Sequence, residues 1–175
     1  REGCSSRYDI ILFFFCLMRT RKRVLIDGRA FSLQQKGGVS QIWAKLISSE
    51  AWQKHISIDL FLYPGHQKNL HLAETLRHAR QEYINVIPSS FPASDNENYS
   101  TESHSIARIQ EIKAKLSNQP DIVMNTYYGE NIFPYAKRYL VVAHDFAHEE
   151  LEDLAKKQST IGVLARKRIA FSSAS

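Results

Sequence analysis

The segment from Tyr139 to Ala143, YLVVA, carries no charged or strongly polar residue before it runs into HDFAHEELEDL. A strand with one face in water alternates apolar and polar side chains. A strand without that alternation is expected to be covered on both faces, as in a parallel sheet whose crossover helices lie on either side. Other short runs point the same way. Val24-Leu25-Ile26 ends at Asp27-Gly28, Ile56 to Tyr63 stops at Pro64-Gly65, Ile84 to Ile87 stops at Pro88, and Ile122-Val123-Met124 follows Pro120-Asp121. Each is a β-rich run bounded by turn residues.

Between these runs the spacing is helical. Val39, Ile42, Trp43, Leu46 and Ile47 recur as one face, as do Ile106, Ile109, Ile112 and Leu116, and Asn69 to Glu82 reads as a helix through Leu72, Leu76 and Ala79. Strands alternating with helices predict an α/β, Rossmann-like, largely parallel sheet with helices on both faces. LQQKGGVS after Ser32 and Pro88 to Thr101 read as loops, and TYYGENIFPYAKR as a loop with exposed aromatic rings. Leu164 to Ser175, LARKRIAFSSAS, reads as a basic helix end entering a further strand.

The chain's 175 residues suit a single domain. Its net charge of +5 is scattered, with local runs only at Arg19 to Arg23 and Arg166 to Arg168. Nucleic-acid binding would call for a basic stripe interleaved with aromatics, so no nucleic-acid partner is expected. A polyanionic small ligand or an anionic membrane surface suits the scatter equally. Cys4 and Cys16 precede the first strand and cannot staple the fold, which fits a reducing compartment, the cytoplasm. The apolar run IILFFFCLM, residues 10–18, is nine residues long, against the roughly 20 a membrane helix needs. MRTRKRVLIDGRAFS, beginning at Met18, reads like a natural start. Residues 1–17 are therefore expected to be a non-native or disordered leader ahead of a domain over 18–175, with a short amphipathic membrane anchor as the rival reading.

Two features carry candidate chemistry. In His144-Asp145-x-x-His148-Glu149 the histidines are four apart, a spacing that binds zinc on a helix, but the helical zinc motif puts Glu directly after the first His. Here the first His ends a strand, Asp145 suits a helix N-cap, and the following acids and late lysines suit a helix dipole. His144 at the carboxyl end of a parallel strand would face a ligand crevice. Gly37-Gly38 before a helix suits either close approach of backbone N–H groups to an anion or an ordinary turn. On these residues alone a non-catalytic α/β ligand-binding domain and a metal-dependent hydrolase using His144, Asp145 and His148 stay open.

The order VLIDGRAFS, QKGGVSQIWAKLI, PDIVMNTYYGENIFP, YLVVAHDFAHEELEDL and RKRIAFSSAS resembles the amino-terminal domain of glycosyltransferase family 4, retaining enzymes of GT-B fold. The likeness runs from about Val24 to Ser175. It implies an acceptor-side half-enzyme, truncated before the domain that binds the nucleotide sugar, and inactive alone. Its partners would be a nucleotide-sugar donor and a glycan or lipid-linked acceptor, with possible residence at the inner face of a membrane and with no cofactor and no metal. Carried over residue by residue, Gly37 and Gly38 would lie near the donor phosphates, and His144 would face the donor sugar with Asp145 orienting it. Ser172 and Ser173 would lie at the interdomain cleft, and Tyr127 and Tyr128 on the substrate side. Asn125 stands where many relatives carry His.

Overall fold

The computed structural model describes residues 21–78, 81–93, 102–128 and 131–142, together with 168, 169, 171 and 172. Five strands form one sheet: β1 (Lys22–Asp27), β2 (Ile56–Leu62), β3 (Ile84–Pro88), β4 (Ile122–Asn125) and β5 (Arg138–Val141). Every pairing is parallel, in the order β3-β2-β1-β4-β5. The described helices are α1 (Arg29–Leu33), α2 (Gly38–Ser48), α3 (Glu50–His55), α4 (Leu70–His78) and α5 (Glu102–Lys115). The predicted α/β class with a Rossmann-like parallel sheet is what the chain adopts.

The sheet is covered on both sides because β1 and β2 bury both sets of alternating side chains. Val24, Ile26, Ile58, Leu60 and Leu62 meet Trp43 and Ile47 of α2 and Leu72 of α4. On the other face Leu25, Phe61 and Val123 meet Ile112 of α5, with Ile132 and Phe133. Trp43 is fully buried, its ring edge-on to Trp52 of α3 at 6.4 Å. Removing a side chain of that size from a core costs about 3–5 kcal/mol.

Three expectations are corrected. β5 is not covered on both faces: Tyr139 is buried, but Leu140 is 43% exposed, because β5 ends the sheet and no described element covers that side of it. The loop after β4 is not a display of exposed rings. Tyr128, Ile132 and Phe133 are buried and Tyr127 is half-buried, while Tyr135 is exposed. Arg168, Ile169, Phe171 and Ser172 are helical rather than part of a strand, and the Ser172 hydroxyl donates to the Ile169 carbonyl at 3.0 Å, the local back-bond of a helical turn. Among the described residues no helix is long and apolar enough to cross a membrane.

Candidate functional site

Sequential order reverses between β1 and β4, since β2 and β3 lie to one side of β1 and β4 and β5 to the other. In an open parallel sheet that reversal opens a crevice at the carboxyl ends of the two strands, the usual ligand position. Here the rims are Asp27-Gly28-Arg29 and Asn125-Thr126-Tyr127-Tyr128.

Thr126 stitches them together. Its hydroxyl donates to the Asp27 carbonyl at 2.6 Å and accepts from the Ala30 N–H at 2.9 Å, while its own N–H donates to the Asp27 carbonyl at 3.1 Å. Arg29 Nη1 donates to the Tyr128 carbonyl at 3.4 Å, and Arg29 Nη2 lies 3.6 Å from Asp27 Oδ2. Gly28 is required by close approach. Its N–H donates to the Phe61 carbonyl at 2.8 Å, and a Cβ there would stand 2.7 Å from that oxygen and from Leu62 Cδ2.

Behind this rim Tyr63 closes β2, fully buried, with the guanidinium groups of Arg29 and Arg108 each 5.8 Å from its ring centre. Burial foremost, and then the Asp27 carboxylate, push the Tyr63 hydroxyl well above the usual phenol range. Tyr63 therefore stays protonated, able to donate a hydrogen bond but not to act as base or nucleophile. Asp27 Oδ2, Tyr63 Oη and Arg108 Nε are buried and make no hydrogen bond among the described residues. A buried polar group left so is costly; Asp27 Oδ2 keeps the longer ion pair with Arg29 Nη2, and the same guanidinium lies beside the Tyr63 ring.

The glycine pair divides into two roles. Gly37 is the N-cap of α2, and a Cβ there would collide with the side-chain amide of Gln34, whose Oε1 accepts from the Ser40 N–H at 3.3 Å. A Cβ at Gly37 is opposed only by the movable end of the Gln34 side chain. Gly38 begins the helix half in the open, with nothing within 4 Å of a would-be Cβ. The N–H groups of Gly38 and Val39 find no acceptor among the described residues, as is usual for the first turn of a helix.

Val39 and Val142 pack on one apolar cluster, so the start of α2 and the end of β5 share a face of the sheet. His144, Asp145, His148, Glu149 and Ser173 lie outside the described residues. Ser172 is exposed, and its neighbour Phe171 sets its ring edge-on to Tyr128 at 6.2 Å, which brings the last helical turn to the rim of the crevice. Asn125 is buried, its amide donating to the Tyr139 hydroxyl at 2.5 Å, a structural link between β4 and β5. The sequence reading missed Arg29, Tyr63 and Thr126. Its one available signal was the charged pair Asp27 and Arg29 directly after an apolar strand. No group of three His, Cys, Asp or Glu among the described residues is arranged to hold a metal ion.

No protein-family model matches the chain, and no curated protein does. Among solved structures it is similar to an alpha,alpha-trehalose-phosphate synthase (UDP-forming) from Burkholderia xenovorans in complex with glucose-6-phosphate. The identity is 15% and the TM-score 0.30, over 94% of this chain and 42% of that one. It is also similar to the alpha,alpha-trehalose 6-phosphate synthase of Burkholderia multivorans, at 14% identity and TM-score 0.29, over 96% of this chain and 41% of that one. The chain thus spans less than half the length of either enzyme.

Proposed function

We propose that this chain is the acceptor-side half of a retaining glycosyltransferase that moves a sugar from a nucleotide sugar to a glycan or lipid-linked acceptor. The observation that carries the reading is the reversal of strand order between β1 and β4, the place where an open parallel sheet takes its ligand. The buried polar group of Asp27, Arg29 and Tyr63 lies at the same sheet edge as the helix start at Gly38. The motif order supports it.

In this reading the crevice orients rather than reacts. The N–H groups of Gly38 and Val39 receive the leaving diphosphate at the positive end of α2. Asp27 and Tyr63 meet hydroxyls of the sugar or acceptor, the carboxylate accepting and the phenol donating. His144 hydrogen-bonds the reacting sugar and Asp145 holds it in register. A transfer through an oxocarbenium-like state, with diphosphate departing, draws most of its rate from such positioning and charge placement, and the cations that stabilise the leaving group belong to a nucleotide-binding half.

The test is a titration of this chain, followed by backbone amide resonances, with oligosaccharides and with nucleotide sugars. Oligosaccharides are expected to shift Gly28, Tyr127 and Tyr128 first, and nucleotide sugars to bind weakly, moving Gly38 and Val39. Tight nucleotide-sugar binding by this chain, or shifts confined to the opposite edge of the sheet, would overturn the assignment.

A further inference from the structure

At the amino edge of the sheet, away from the crevice, the end of α5 and the loop before β5 line an open cleft of about 380 Å³. That volume falls within the range of about 300–1,000 Å³ usual for small-molecule sites. Its position is fixed by the start of β1. The Ser117 hydroxyl, just beyond α5, accepts from Arg23 Nη2 at 2.8 Å, and the Asp121 N–H donates to the Arg23 carbonyl at 2.9 Å. Leu116 and the buried Phe133 give the cleft its apolar part. Tyr135 is 56% exposed, its ring edge-on to Phe133 at 5.5 Å, and the Gln119 side-chain amide pins this loop by donating to the Tyr135 carbonyl.

The charges around the cleft are unbalanced. None of the residues lining it is acidic, and the flanking carboxylates are taken: Glu111 by Lys115 at 2.8 Å and Asp121 by Lys137 at 2.9 Å. Lys113 has no carboxylate among the described residues, and its Nζ stands over the Tyr135 ring, 5.3 Å from the centre. The Ser117 oxygen already accepts from Arg23, so its hydrogen is what it has left to offer a ligand. An ammonium and a hydroxyl thus stand as donors beside an exposed aromatic wall. Lys113 supplies the cation, so a complementary ligand brings the anion. The cleft also lies at the carboxyl end of α5, the negative end of a helix, which weighs against a second negative charge on that ligand. We infer that this cleft binds a small aromatic carboxylate, its ring against Tyr135 and Leu116 and its carboxylate on Lys113 Nζ and the Ser117 hydroxyl. The flexible stem of Lys113 lets the ammonium leave the Tyr135 face for the carboxylate while the ligand ring takes its place. The site lies at the opposite edge of the sheet from the crevice and does not rest on the transferase reading.

The test is calorimetric titration of the full chain with four probes: indole-3-acetate, indole without the charge, hexanoate without the ring, and adenosine monophosphate with a phosphate in place of the carboxylate. Indole-3-acetate is expected to bind with a dissociation constant of about 1 mM or below, the scale for a ligand of its size. Indole and hexanoate should each bind about tenfold more weakly, and adenosine monophosphate about fivefold. Lys113→Gln and Tyr135→Ala should each weaken indole-3-acetate about tenfold, whereas Tyr135→Phe, which keeps the ring, should stay within about twofold. Lys36→Gln removes the same charge from an exposed position in the loop after α1 and should also stay within about twofold. Circular dichroism should be unchanged in all four variants, since each substituted side chain is exposed. Indole bound as tightly as indole-3-acetate overturns the inference, because the ring alone would then suffice. Hexanoate bound as tightly overturns the aromatic class, and tighter binding of adenosine monophosphate overturns the carboxylate. An equal loss in Lys36→Gln would mark net charge alone, and unchanged binding in both Lys113→Gln and Tyr135→Ala would place the ligand elsewhere on the chain; either result overturns the site.

Discussion

The two ends of the sheet treat buried polar groups in opposite ways. Toward the amino end, Asp59 is 1% exposed and saturated: Arg23 grips it through Nε at 2.5 Å and Nη2 at 3.0 Å, and Asn85 Nδ2 donates to it at 2.8 Å. Arg23 Nη2 also donates to the Ser117 hydroxyl at 2.8 Å, and the hydrogen bond it donates to Asp59 raises the guanidinium above its ordinary range. Asp121 nearby accepts from Lys137 at 2.9 Å and from the Arg23 N–H at 3.1 Å, which holds its carboxyl below the usual range. At the carboxyl end, Asp27 Oδ2 and Tyr63 Oη are just as buried and have no such hydrogen bonds among the described residues. Saturated groups hold a fold together; unsaturated ones at a crevice are ready for a ligand.

The largest effect should come from the saturated end. Arg23→Met leaves Asp59 buried with Asn85 as its remaining partner in that network. Breaking one side of a buried ion pair costs about 3–5 kcal/mol, to be read from urea denaturation. A loss under about 1 kcal/mol would mean that the pair is no stronger than a surface salt bridge, and the contrast between the two ends would fail.

Thr126→Val comes next. The substitution keeps the side chain's shape but strands the Ala30 N–H, at a cost of about 1–3 kcal/mol. It tests whether the carboxyl end has structural bonds of its own beneath its unsaturated groups. A change within error would show that the β1–β4 crevice is held by the strands alone.

Tyr63→Phe should separate the two ends most clearly. With no hydrogen bond to lose among the described residues, the hydroxyl's removal should change stability by less than about 0.5 kcal/mol, or raise it slightly. Oligosaccharide affinity should nevertheless fall about tenfold, the loss of one buried hydrogen bond to a ligand. A variant destabilised by 2 kcal/mol or more, on the order of a lost buried bond, would make Tyr63 a structural residue like Asp59.

The sheet was legible because β1, β2 and β3 are short apolar runs cut off by Asp-Gly, Pro-Gly and Pro, because the β4 run follows Pro120-Asp121, and because Trp43 and Ile47 recur at helical spacing. Helices α1 and α3 were not legible, being five and six residues long, too short for any periodicity to emerge. The covered-strand reading of YLVVA failed for another reason: apolar composition does not say whether a strand is central or last. The crevice floor was hidden because its parts come from distant places in the chain. Arg29 and the Tyr128 carbonyl are 99 residues apart, and no local pattern announces that they will meet.

Two glycines that look identical in sequence differ in what a Cβ would meet. Gly37→Ala must push the Gln34 amide off the Ser40 N–H, so α2 should lose about 1 kcal/mol of capping. Gly38→Ala meets nothing within 4 Å and replaces glycine with the best helix former, so stability should be unchanged or rise by up to about 1 kcal/mol. If Gly38 is glycine so that an anion can approach the helix start, the same substitution should weaken nucleotide-sugar binding while Gly37→Ala leaves most of it. Thermal melts and the amide titration read both quantities on the same samples. A Gly38→Ala protein that gains stability and binds as before would remove the open start of α2 from the site, and with it the phosphate side of the crevice.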